Sequence, residues 1–276
     1  MQRTERKRVS GQNFSTENPA AGNPDEHLRN YFRTLYHAWG YQHWWPAQSP
    51  FEVIVGAYLT QNTSWTNVEH ALGSLRQARV LSVRGIRRTP LPKLERLIRS
   101  AGYFRQKAQR LKTFVRFLDN RYAGSLTRMF AEPTAKLREE LLSLNGIGPE
   151  TADSILLYAG NHPVFVVDAY TRRILERHRL LTPRASYGEI RDLFERALRA
   201  LTDETSLPAA IPAAGANGPR GSSHLPSRMG TAKRQAIVQV FNEMHGLIVG
   251  VGKNYCKKSQ PECEQCPLQK FLPGAE

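Results

Sequence analysis

The sequence predicts an all-α chain, and three observations carry that reading. Apolar residues recur at helical spacing through most of the chain from Asp25 onward. No segment alternates apolar and polar residues over the length of a strand. The run Leu144–Pro149 (LNGIGP) has Gly-Ile-Gly followed by proline, the pattern of a tight bend that opens a new helix.

The elements follow in order. Asp25–Gly40 is a helix with Leu28, Phe32 and Leu35 near helical spacing. Phe51–Leu59 and Ser64–Arg76 are the next two, flanking the polar Gln61-Asn62-Thr63. Leu91–Arg99, Arg105–Tyr122 and Thr134–Ser143 follow, then the hairpin helix Pro149–Ala159. Ala169–Arg179, Ser186–Thr202 and Ala232–Val249 complete the set. Residues 1–24 are basic without an apolar core, which excludes a secretory signal and predicts a disordered tail. Residues 205–230 are rich in Pro, Gly, Ser and Ala and predict a disordered insertion. The globular part is thus 25–250, with a cysteine-containing loop at 251–276.

With 276 residues, the chain is long enough for a real core. Its 39 Lys and Arg exceed its 24 Asp and Glu, giving a net charge of +15. A basic surface can simply be soluble, but alongside the hairpin it points to a nucleic acid partner. No apolar stretch is long enough to span a membrane, so a membrane partner is not expected. The three cysteines cluster at the C-terminus and do not make a disulfide framework, so a cytoplasmic location is the default expectation.

Two residue patterns carry chemistry. Gly146 and Gly148 allow a tight turn, and with Thr151 and the helix start at Pro149 they offer donors and partial positive charge to a phosphate. The apolar run Val164–Val167 delivers one carboxylate, Asp168, at a helix start. Read alone, Asp168 is a helix cap accepting from the N–H groups of Tyr170 and Thr171.

GIGPETA, with Asp168 eighteen residues after Glu150 in VVDAY, resembles the helix-hairpin-helix DNA glycosylases of the endonuclease III superfamily. LTQNT (Leu59–Thr63), GYFRQKAQRL (Gly102–Leu111) and the C-terminal cysteines extend the resemblance to about Asp25–Leu272. The resemblance implies two helical lobes facing across a groove, one running from about Trp45 to Leu142, with the hairpin at their junction. It also implies that Asp168 stabilises the positive charge that develops on the sugar as a base leaves. Bifunctional members carry a lysine where this chain has Glu150. A carboxylate cannot form a Schiff base, so the chain is expected to remove a base without cutting the strand. Glu150 is then a candidate for positioning water or substrate, or simply an acid favoured by the helix dipole.

A glycosylase must flip its target out of double-stranded DNA, and Gln61 matches the wedge position. Lys107 and Arg105 are phosphate-contact candidates. Trp44 and Trp45, in HWWPAQSPFEVIVGAYLTQNT, resemble the bacterial 3-methyladenine glycosylase branch. So do Tyr170 and Lys253, and together these four are the candidate base pocket for a cationic alkylated purine in a monomeric enzyme. Alternatives are a glycosylase for mispaired adenine or thymine, and a noncatalytic DNA-binding protein. Cys256, Cys263 and Cys266 keep three positions of the family's iron–sulfur loop, while Leu272 stands at the fourth. Three readings stay open there: a [4Fe–4S] cluster with one non-cysteine ligand, a degenerate loop, or a zinc site.

Overall fold

Asn23 starts the first helix. Its side chain accepts the Asp25 N–H at 3.0 Å, and Pro24 supplies the preset φ of a first helical position. The structure, a computed structural model, describes residues 23–203 and 227–274. The first helix, α1 (Pro24–Trp39), buries the stripe Leu28, Tyr31, Phe32, Leu35 and Tyr36. The tail assigned to residues 1–24 is therefore too long by Asn23 and Pro24, and the rest of it lies outside the described residues.

Helix α2 (Pro50–Leu59) shows why it occupies the centre. Its sequence is apolar apart from Glu52, which pairs with Arg76, and every residue from Phe51 to Leu59 is buried. Ser49 caps it through the Glu52 N–H, at 3.2 Å. Around it pack α3 (Trp65–Gln77), α5 (Leu91–Leu97) and the long α6 (Phe104–Tyr122), directly or through one another. Two short helices, α4 (Val83–Arg88) and α7 (Leu126–Phe130), join this group. Both were missed in the sequence, because six and five residues are too few to show a period.

A second group unites the ends of the chain. Here α1 packs on α11 (Tyr187–Asp203) and α12 (Ala236–Asn254), and α10 (Ala169–Arg177) lies along α12. Between the groups runs the hairpin, α8 (Thr134–Leu142) and α9 (Pro149–Ser154). After Ser154 the expected single helix widens into a π-turn, Ile155–Ala159, where Gly160 N–H reaches five residues back to Ile155 O at 3.1 Å. This wide turn packs on α2 on one side and α12 on the other, so it fastens the two groups together. Among the described residues there is no strand, and the architecture is the predicted all-α, two-lobed helix-hairpin-helix one.

Two boundaries need correction. Most of the insertion assigned to 205–230 lies outside the described residues, but Ser227–Gly230 form an ordered turn. The buried Ser227 hydroxyl accepts from Ala47 N–H at 3.2 Å, and Met229 N–H donates to Ala47 O at 2.9 Å. These bonds replace the regular partners a loop lacks. Helix α12 also runs four residues past the assigned domain boundary at 250, to Asn254, before the cysteine loop begins.

Candidate active site at Asp168

Val164–Val167 are buried, and Asp168 emerges at the first turn of α10. Its Oδ1 accepts both the Thr171 N–H at 2.7 Å and the Thr171 hydroxyl at 2.9 Å. The Asp168 N–H donates back to that hydroxyl at 3.4 Å, completing a capping box. The two carboxylate oxygens thus have different surroundings. Oδ1 fixes the carboxylate on the helix, while Oδ2 takes no part in the cap and lies 3.6 Å from His245 Nε2 on α12.

Two further charged groups reach this point. Glu150, in the first turn of α9, opens onto the groove; the surrounding protein and the Asp168 charge push its carboxyl up to about 7. Lys253, exposed near the end of α12, is held below its ordinary value by burial of its ammonium, with Glu69 and Asp168 pulling the other way. Helices α9, α10 and α12 therefore converge on one small polar region.

The hairpin bend is built as expected in one glycine and not in the other. Gly146 has φ +84°, and a Cβ there would stand 2.0 Å from Arg110 Nε. Gly148 is extended at the N-cap of α9 and faces open space, so the turn itself does not require it. Gln61 is tied into this bend. Its amide donates to Gly146 O and to Thr151 Oγ1, each at 2.9 Å, and accepts from Arg110 Nη1 at 2.9 Å. Thr151 is buried and serves here as an acceptor for Gln61. Arg110 was missed in the sequence, although it stands three residues after Lys107 in the quoted motif.

Lys107 corrects a phosphate assignment. Its side chain is buried, and Nζ donates to Ala101 O at 2.7 Å, Gln61 O at 2.8 Å and Leu59 O at 2.9 Å. Burial, with Arg110 nearby, lowers its pKa to about 8, so it remains an ammonium at neutral pH. It clamps the end of α2 and the Gln61 loop to the turn before α6, and has no donor left for DNA. Arg105 is exposed and stays a phosphate candidate. Beside it Tyr103, at φ +45°, is 67% exposed, an aromatic held on the turn that Lys107 ties to Gln61. Sequence reasoning passed over it.

The aromatic candidates stand behind the site rather than open in it. Trp44 and Trp45 are both buried. Trp45 packs between Trp65 and Tyr158, each 5.2 Å away by ring centroid, and against Gly56 of α2. Trp44 lies 5.8 Å from the His245 ring and packs edge-on against Trp45. Tyr170 is half-buried against Gly252, with the Arg173 guanidinium 5.0 Å over its ring, so it braces α10 on α12.

The cysteine loop does not fit a four-thiolate cluster. Cys256, Cys263 and Cys266 line one cavity below α10 and α12, but Leu272 closes it with an alkyl side chain. Cys256 Sγ instead accepts from Arg177 Nη1 at 3.2 Å. Among the described residues no group of three or more His, Cys, Asp or Glu is placed to hold a metal ion. The [4Fe–4S] expectation is therefore not carried further into the chemistry.

Comparison with known proteins agrees with this geometry. Residues 55–200 match the profile of the HhH-GPD superfamily of base excision DNA repair proteins. A candidate DNA repair glycosylase of Methanocaldococcus jannaschii is 37% identical over 90% of this chain and 97% of its own. Endonuclease III of Thermotoga maritima is 25% identical over 80% of this chain and 81% of its own. Among solved structures, the H. pylori 3-methyladenine DNA glycosylase MagIII, bound to 1,N6-ethenoadenine, superposes with a TM-score of 0.64. It is 27% identical, over 84% of this chain and 97% of its own. The folded helices, the hairpin with its capped aspartate and these likenesses place the chain in the HhH-GPD superfamily of base excision DNA repair glycosylases.

Proposed function

We propose that the protein is a monofunctional DNA glycosylase that hydrolyses the N-glycosidic bond of an alkylated purine. The observation that carries this reading is the pairing of Asp168 with Glu150. Asp168 keeps Oδ2 out of its helix cap, and the neighbouring hairpin residue is an acid where an amine would be needed for a Schiff base.

The chemistry follows from the charges. As the C1′–N bond breaks, the base leaves with the electron pair and positive charge develops on the sugar. The Asp168 carboxylate stabilises that charge in a cleft walled by buried Trp44, Tyr158 and His245. Water then adds to C1′ and loses a proton, which Glu150, poised at about 7, can accept. A purine alkylated on the ring is already cationic and departs neutral, so it needs no acid to assist it. The likeness to MagIII, whose structure holds 1,N6-ethenoadenine, supports the purine assignment. Double-stranded DNA is gripped by the hairpin and the Gln61 loop, with Arg105 and Tyr103 beside them.

A set of duplexes tests this: one treated with dimethyl sulfate, one carrying a single 1,N6-ethenoadenine, one a thymine glycol and one a G·T mismatch. Alkylated purines should be released, Asp168→Asn should retain duplex affinity while losing release by orders of magnitude, and strands should break only after alkali. A covalent adduct trapped by borohydride would overturn the monofunctional reading and point to Lys253 as the amine. Release from thymine glycol alone would overturn the substrate.

A further inference from the structure

His245 sits in the middle of α12 and is buried, with a polar atom at each side of its ring. Nδ1 lies 2.7 Å from the hydroxyl of Tyr158, which the π-turn brings from the hairpin side. Nε2 has no hydrogen-bond partner and faces Asp168 Oδ2 at 3.6 Å. A buried donor without a partner is costly and asks for an explanation.

The hydrogen-bond order sets the tautomer. The carboxylate oxygen that Nε2 faces, Asp168 Oδ2, accepts rather than donates, so Nδ1 is the ring nitrogen left to take a proton from Tyr158. The phenol proton then points to the acceptor that remains, His245 Nδ1. Nδ1 must be bare to receive it, so the ring proton is on Nε2, directed at Asp168. Burial pushes the imidazole below its ordinary value, against the opposing pull of Asp168, so it remains neutral at neutral pH. A neutral donor orients the carboxylate without cancelling its charge. Of the groups facing this carboxylate, Glu150 on α9 repels it, Lys253 on α12 attracts it from the groove side, and Thr171 holds Oδ1.

We propose that His245 is the positioning residue of Asp168: fixed by its hydrogen bond to Tyr158, its Nε2–H steers Oδ2 toward the sugar. The gap of 3.6 Å exceeds a hydrogen bond and closes as the carboxylate turns to meet developing positive charge. The inference rests on the proposed role of Asp168, and its test separates the two.

The probe is a duplex with a pyrrolidine abasic nucleotide, whose ring ammonium mimics the charged sugar. A tetrahydrofuran abasic duplex is its neutral control, and neither depends on which base is removed. Wild-type protein should prefer the cationic duplex, and Asp168→Asn should abolish the preference. His245→Leu should reduce it about tenfold at unchanged tetrahydrofuran affinity. His245→Gln, whose amide can donate from near the Nε2 position, should restore most of it. Tyr158→Phe, which removes only the hydroxyl, should lower it in the same direction and serves if His245→Leu does not fold. Full preference in His245→Leu or Tyr158→Phe, with loss in Asp168→Asn, overturns the positioning role and leaves Asp168 intact. Absence of any preference in the wild type removes the Asp168 reading and this one with it.

Discussion

Replacing Lys107 by Met keeps the stem of the side chain and deletes its ammonium. Three carbonyls lose their donor: Leu59 and Ala101, whose bonds are buried, and Gln61, whose bond is partly open to water. Gln61 O can recover a water molecule, while the two buried carbonyls cannot. An unsatisfied buried polar group costs about 1–3 kcal/mol, so the pair should cost about 4 kcal/mol. Loss of the positive charge at the C-terminal end of α2 adds a little in the same direction. That is a large part of a stability that totals about 5–15 kcal/mol, and corresponds to a fall in Tm of roughly 8–16 °C. Urea unfolding followed by helical circular dichroism measures it. Lys107 also ties the Gln61 loop to the Tyr103 turn, so affinity for a tetrahydrofuran abasic duplex should fall below Tm as well. A destabilisation of less than about 1 kcal/mol with normal duplex affinity would refute the clamp and return Lys107 to the surface.

Three other outcomes can be measured directly. Arg138 grips the fully buried Asp153 through Nε at 2.7 Å and Nη2 at 3.1 Å, so Arg138→Met should cost about 3–5 kcal/mol in chemical unfolding. Burial raises Glu243 from 4.5 to about 7; because its folded value lies above its unfolded one, its stabilising contribution is full below about pH 4.5 and is lost as pH rises to about 7. The difference in unfolding free energy between wild type and Glu243→Gln should therefore change by about 3 kcal/mol across that window, while Glu150→Gln changes the same slope in the same sense. Protein prepared without oxygen should bind no stable iron–sulfur cluster, and Leu272→Cys, which turns the fourth wall of the cysteine cavity into a thiol, should gain iron and visible absorption.

What could be read from the sequence was local. Ser49, Ser64 and Asp168 cap helices within three residues of themselves, and α2, apolar on nearly every side, belongs in the interior. The hairpin bend and the capped aspartate were legible because both structures are set by short spacing. Lys107 was not, since a lysine in a basic helix looks the same whether it faces water or three carbonyls. The difference is made by Leu59, forty-eight residues away. The Tyr158–His245 pair was hidden for the same reason: the two meet across 87 residues, and His245 lies among the buried residues of α12. The turn at Ser227–Gly230 shared the composition of the residues before it, and its bonds to distant residues such as Ala47, Trp45 and Tyr41 distinguish it.

The exchange of lysine for Glu150 changes more than the nucleophile. An ammonium beside Asp168 would neutralise it and spend its field on an ion pair before any substrate arrived. A second carboxyl does the reverse: burial first, and the Asp168 charge second, push Glu150 up to about 7, so it adds negative charge to the site only as pH rises through that value. That negative charge suits a sugar gaining positive charge as the base departs. It also leaves Glu150 near the pKa at which a group most readily takes a proton from attacking water. On the proposed function, then, the two acids divide the work by geometry. Asp168 is fixed through Oδ1 and serves electrostatically through Oδ2, while Glu150, open to the groove, handles the proton. The buried neutral imidazole of His245 fits this division, because it directs the first acid without lowering the charge the second acid has helped to build.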